Sequence, residues 1–193
     1  MTNTTVTAPE TQKPLLTLKQ ITLAGLMTAV FCLLGPLSLN IPISPVPISL
    51  GMLALYFVTS VLGMKLGTFS VLAYILLGLT GLPVFTGFTG GAGKLLGPTG
   101  GYIIGYIFMA LICGFFVDKW GNNLIMEILG MVLGTAVCYL FGTIWLAYLA
   151  SYTFYQALAA GVLPYIPVDV VKLAIALLVG RQIRARILKA GLL

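Results

Sequence analysis

A chain of 193 residues that is 60% hydrophobic and 7% charged, with a mean hydropathy of +1.10, lacks the polar surface a water-soluble globule needs, since soluble domains carry about 25% charged residues. The net charge of +6 raises nucleic-acid binding, but ten cations scattered over so apolar a chain fit a membrane protein better. The absence of histidine excludes Ser-His and Cys-His catalysis, His-ligated metals and haem.

Residues 1–16, rich in Thr with Pro and Gln, read as a flexible cytoplasmic tail. No secretory signal is expected, because the stretch before Lys19 is polar and no small-residue cleavage site follows a short apolar run. Asp, Glu, Lys and Arg are then absent from 20–64, 66–93, 95–117 and 128–168. A spanning helix needs about 20 apolar residues, so the longer runs hold more than one span and Pro and Gly must divide them. Gly35-Pro36, Pro42, Pro45 and Pro47 break the first run, since a helix interior does not absorb that proline density. The predicted elements are span one over 17–35, a loop over 36–48, span two over 49–64 and span three over 67–80. A Gly- and Pro-rich stretch over 81–101 leads to span four over 101–117. A turn over 118–123 leads to span five over 124–149. A short outer connection, bracketed by Tyr152 to Tyr155 and Pro164 to Pro167, precedes span six, which ends near Arg181. The body is thus one unit over 17–185, with a basic cytoplasmic tail over 186–193.

The cations test this count independently. Six spans put both termini on one side, together with the turns at 65 and 119. Lys13, Lys19, Lys65, Lys119, Arg181, Arg184, Arg186 and Lys189 then share that side, eight of ten, which makes it the cytoplasm. Five or seven spans would split the basic termini.

Asp169 and Lys172 stand inside span six at i, i+3 and share one helix face. A lone charge near a bilayer centre costs about 2.5–3.5 kcal/mol on insertion scales. Two such groups either lock the bundle as an ion pair or mark a substrate path, and the second reading is favoured. Counted from Arg181 at 1.5 Å per residue, both fall from the midplane outward, and Pro164 and Pro167 lie beyond them, so the site opens to the outside. Lys94 sits in the outer Gly-rich stretch and reads first as a solvated loop lysine, second as a cation among backbone amides that can approach an anion. Glu127, at the cytoplasmic start of span five, reads as snorkelling or interhelical. Aromatics gather on the outer half: Phe85, Phe88, Tyr102, Tyr152, Phe154, Tyr155 and Tyr165. They suit an interfacial belt and, in part, a pocket wall.

Small residues recur four apart: Gly130, Gly134, Cys138 and Gly142 in span five, Gly101 and Gly105 in span four, Gly25 and Ala29 in span one. In lipid such stripes admit close helix approach. Those of spans four and five read as internal packing; that of span one, in the cytoplasmic half, is a candidate partner interface. The cysteines read as small packing residues. Gly93-Lys94 is not a phosphate-binding loop, because Phe88 stands where the first Gly is required and Leu95 where Ser or Thr is. No ATP site is visible, so energy for uphill transport is expected from a partner or an ion gradient.

Pro45-Val46-Pro47-Ile48-Ser49, Gly81-Leu82-Pro83-Val84-Phe85, Gly97-Pro98-Thr99-Gly100-Gly101-Tyr102 and the Asp169/Lys172 pair together resemble the BioY family, the biotin-specific S components of energy-coupling-factor (ECF) transporters. The resemblance covers about 17–185. It implies an all-α fold, an integral membrane bundle of six transmembrane helices. It implies a protein of the bacterial plasma membrane that is not an enzyme and needs no cofactor. Biotin is the transported ligand, captured from outside and delivered inward. The implied partners are a transmembrane T component and two ABC-type ATPases. The candidate substrate-binding residues are then Asp169, Lys172, Phe85, Lys94, Thr99, Gly100, Gly101, Tyr102 and Tyr155. The ureido ring offers donors and an acceptor that Asp169 and Lys172 can match; Lys94, loop amides or Lys172 can hold the carboxylate. Competing readings are an S component for another vitamin and an ion-coupled carrier, although no internal repeat is visible.

Overall fold

Helix α1 (Leu18–Leu34) starts where Thr17 and Gln20 form a capping box, each side chain bonded to the other's backbone N–H. It ends at Gly35, before Pro36. The computed structural model describes residues 17–39, 42 and 45–193, so the expected tail over 1–16 lies outside the described residues. Within the predicted loop, β1 (Ser38–Leu39) pairs antiparallel with β2 (Ile48–Ser49). Two-residue strands of this kind leave no periodic signature in sequence.

Helix α2 (Gly51–Leu79) is interrupted at Gly63, whose φ of 75° and ψ of −162° are not helical. A Cβ on Gly67 would lie 3.4 Å from the Thr59 Cα. Eight residues along a straight helix would separate these positions by about 12 Å. The run is therefore a hairpin folded at Gly63, and its two arms correspond to predicted spans two and three. The fold is held from outside the hairpin. Asp118 accepts from the Met64 N–H at 2.9 Å and pairs with Arg184 at 2.9 Å, while Arg184 also donates to the Val61 carbonyl at 3.0 Å. Backbone groups freed by the turn are thus satisfied by α4 and α7.

A short helix, α3 (Ala92–Leu95), crosses the Gly-rich stretch. Helix α4 (Gly100–Trp120) runs three residues past the predicted end, so Asp118 and Lys119 belong to its last turn and not to the connection. Helix α5 (Leu124–Ala150) is capped by the Asn123 side chain. Helix α6 (Phe154–Gly161), with its own Thr153/Gln156 capping box, occupies the expected outer connection. It meets α7 (Ile166–Lys189) at a 52° bend. Helix α7 continues past Arg181 to Lys189, through the segment read as a tail.

Spans four and five pack through their small residues. A Cβ on Gly105 would press on the Cys138 backbone, one on Gly134 on Cys113, and one on Gly142 on the Tyr102 ring. Around this pair, α1 packs on the second arm of α2, where Phe31 stacks on Tyr74 at 4.0 Å. Helix α7 packs on the first arm, where a Cβ on Gly180 would meet Ser60. Large apolar side chains such as Leu33, Phe69, Leu76, Leu133 and Ile144 face outward, as lipid contact requires. Among the described residues, α2, α4 and α5, each taken whole, are long and apolar enough to cross a membrane, four spans if α6 and α7 form one bent span; folded at Gly63, α2 divides its length between two shorter arms. Helix α1, with 17 residues, is shorter.

Candidate functional site

A cavity lies at the end of the bundle opposite the Gly63 turn. Its walls come from the β2 segment (Val46, Pro47, Ser49), the start of α2 (Met52), the start of α4 (Thr99, Tyr102, Ile103, Tyr106), the α5 mid-region (Tyr139), and the α6–α7 bend (Gly161, Tyr165, Asp169, Lys172), with Thr86 from the Gly-rich stretch. It is mainly apolar and aromatic with a few placed polar groups, the usual composition of a small-molecule site.

The bend explains why two charges can stand there. Pro167 in the first turn of α7 starts a new helix after the α6 end. That puts Asp169 in the first turn, where the helix dipole favours an anion, and Lys172 one turn further on. Both are buried, at 6% and 5% exposure. Lys172 Nζ donates to Asp169 Oδ1 at 2.7 Å and to the Ser49 carbonyl at 2.7 Å. The Tyr139 hydroxyl donates to Asp169 Oδ2 at 2.5 Å. The ammonium therefore keeps a third N–H, and each carboxylate oxygen keeps lone pairs, for a molecule in the cavity.

The other walls are fixed by hydrogen bonds between elements. The Tyr102 hydroxyl donates to the Gly161 carbonyl at 3.0 Å, with its ring held against Gly142. The Tyr165 hydroxyl donates to the Val46 carbonyl, tying the β2 segment to the bend. Thr99 stands at the N-cap of α4, yet its hydroxyl makes no cap bond. Buried at 7% exposure and lining the cavity, that hydroxyl has no partner among the described residues.

Of the sequence candidates, the structure brings Asp169, Lys172, Thr99 and Tyr102 together in this cavity. The remainder stand elsewhere. Phe85 is fully buried edge-on to Tyr74 and against Gly78, where it packs the Gly-rich stretch onto α2. Lys94 lies on α3 outside the cavity wall, half-buried, and burial pushes its ammonium pKa down. Gly100 and Gly101 serve close approach: a Cβ on either would overlap the Leu95 carbonyl or the Trp145 side chain. Tyr155 is 82% exposed on α6. Gly25 and Ala29 lie on the exposed face of α1, with nothing within 4 Å of a Cβ built on Gly25.

Cavity residues missed in the sequence include Met52, Ile103, Tyr106, Tyr139 and the Ser49 carbonyl. Tyr106 carried a signal, standing one turn after Tyr102 on the same face. Tyr139 lies mid-span among apolar residues, and a backbone carbonyl has no residue-type signature. Glu127 is buried and pairs with Arg181 at 3.3 Å, tying α5 to α7 far from the cavity.

Comparison with known proteins gives consistent matches. A family model described as the BioY family matches residues 6–189. A probable biotin transporter BioY of Pyrococcus horikoshii is 37% identical over 166 residues, 86% of this chain and 96% of that protein. The biotin transporter BioY of Thermotoga maritima is 34% identical over 167 residues, again 86% and 96%. Among solved structures, the crystal structure of the S-component for biotin from an ECF-type ABC transporter is 35% identical and superposes with a TM-score of 0.81. That match covers 86% of this chain and 91% of that one.

Proposed function

The chain belongs to the BioY family, and from that membership we propose that it is a multi-pass membrane protein that binds biotin as the S component of an ECF-type vitamin importer. The observation that carries the reading is the buried Asp169–Lys172 pair on the wall of a mainly apolar cavity. A cyclic urea presents N–H donors beside a carbonyl. Asp169 accepts from the N–H side, and the third Lys172 N–H donates to the carbonyl. Met52, Ile103, Tyr106 and Tyr139 surround the fused rings. The carboxylate then faces the start of α4, where the Thr99 hydroxyl is unspent and the helix end favours an anion. Lys94, Phe85 and Tyr155 are assigned no direct ligand contact.

The six-span topology is part of the proposal. Helix α1, the two arms of α2, α4, α5 and the bent α6–α7 pair make the six, with both termini cytoplasmic in the plasma membrane. Its support is that six spans gather eight of the ten cations on one side, together with the hairpin at Gly63. Transport energy on this reading comes from two ABC-type ATPases acting through a T component, a partner set supported by the likeness to the S-component of an ECF-type ABC transporter. The outward small-residue face of α1 at Gly25 and Ala29 is the proposed docking line for the T component.

The experiment is to purify the chain without partners and quantify bound biotin by mass spectrometry. Near-stoichiometric biotin is expected. Retention of a different vitamin, or no binding of added biotin at micromolar concentration, refutes the assignment.

A further inference from the structure

We propose that Tyr139 is the positioning residue that holds the Asp169 carboxylate for the ligand's ring. The proposal rests on the biotin reading above. Asp169 borders two spaces. One is the cavity. The other is an apolar groove on the outer surface, lined by Tyr56, Val132, Ala136, Val170 and Leu173 among others. Helices α5 and α7 do not pack closely along their length, and Val132 and Val170 are exposed on either side of the gap. Asp169 and Tyr139 are the two residues that line both spaces.

A carboxylate at that boundary needs its lipid-side oxygen satisfied from within the protein, because acyl chains offer no donor. Lys172 occupies Oδ1 and Tyr139 occupies Oδ2. The other hydroxyls in the groove are already engaged. Thr135 gives its proton to the Met131 carbonyl at 2.7 Å, so in the Tyr56–Thr135 bond Tyr56 is the donor and its proton is spent. Among the described residues, Tyr139 is thus the group that fixes Oδ2. With both oxygens held by donors, the carboxylate plane is set and its remaining lone pairs are presented to the ligand. Without the hydroxyl, Oδ2 loses its donor, the carboxylate is free to turn toward Lys172, and the ring's N–H loses an aligned acceptor.

The test uses the full chain in detergent with biotin as the probe. Tyr139→Phe keeps the ring and removes the hydroxyl. Biotin affinity should fall at least fivefold, with the unliganded melting temperature within a few degrees of wild type. In an Asp169→Ala background the same change should cost less than twofold, because the hydroxyl acts through the carboxylate. Infrared spectra supply a readout that does not depend on binding. The Asp169 carboxylate bands, identified by their loss in Asp169→Ala, should shift in Tyr139→Phe. Affinity within twofold of wild type, an equal loss in both backgrounds, or unshifted carboxylate bands overturns the role. If wild-type protein binds no biotin, it is the ligand assignment that fails, and the infrared result still decides whether Tyr139 holds Asp169.

Discussion

Removing either member of the buried pair should separate its role in folding from its role in binding. Lys172→Ala leaves Asp169 Oδ1 and the Ser49 carbonyl without their donor in a site about 95% buried. Breaking a buried pair from one side typically costs about 3–5 kcal/mol, so the melting temperature should drop clearly. On the proposed ligand pose, binding loses separately the charge-assisted hydrogen bond from the ammonium to the ring carbonyl. At about 1.5–3 kcal/mol, that is roughly 10- to 150-fold in Kd. Asp169→Asn keeps the shape but places a neutral amide beside the ammonium, and at least a tenfold loss is expected there too. The decisive variant is the double replacement Asp169→Asn with Lys172→Met. It leaves no unmatched charge, so stability should recover toward wild type, while biotin binding should stay as weak as in the worse single variant. Thermal unfolding in detergent and isothermal titration with biotin supply the two numbers. If the double variant folds well and binds biotin like wild type, the pair is only a bundle lock and the assignment of the cavity is wrong.

Three further outcomes are expected. Gly63→Ala places a Cβ 1.9 Å from Asp118 Oδ1 at a backbone geometry that side chains other than glycine's hardly adopt; stability should fall by about 3 kcal/mol or more, and an unchanged melting temperature would show that the hairpin fold is not as described. Single cysteines in a cysteine-free background should react with an impermeant reagent on intact cells at 88–96 but not at 121–123; labelling of the latter from outside contradicts the cytoplasmic assignment of the α4–α5 turn. Gly25→Leu with Ala29→Leu should leave biotin affinity of the isolated subunit near wild type while abolishing co-purification with the energising module, because added bulk prevents close helix approach; normal co-purification, or lost binding in isolation, rejects α1 as the docking line.

The sequence by itself determined the solvent, the helical class and the place of the charged pair. Composition and the charge-free runs require a membrane protein, because so few polar groups cannot coat a soluble surface. Proline, glycine and the charges that end the apolar runs at Lys65 and Asp118 placed the breaks between helices within a few residues of where they stand, because these are local signals. The i, i+3 spacing put Asp169 and Lys172 on one face for the same local reason. The motif Gly97 to Tyr102 pointed to the start of α4, and Thr99 and Tyr102 line the cavity there.

What only the tertiary structure decided depends on approach between elements distant in the chain. The turn at Gly63 is stabilised by Asp118 and Arg184, which lie 54 and 120 residues away from Met64, and no local pattern announces that convergence. Phe85, Gly100 and Gly101 resemble ligand contacts in a motif but are consumed by packing, because each meets Gly78, Leu95 or Trp145 at close range. Tyr139 becomes a partner of Asp169 only because α5 and the α6–α7 bend meet at one depth. A tyrosine in an apolar helix reads the same whether its hydroxyl faces lipid or a carboxylate, since helical periodicity specifies a face and a height but not the neighbour that occupies them.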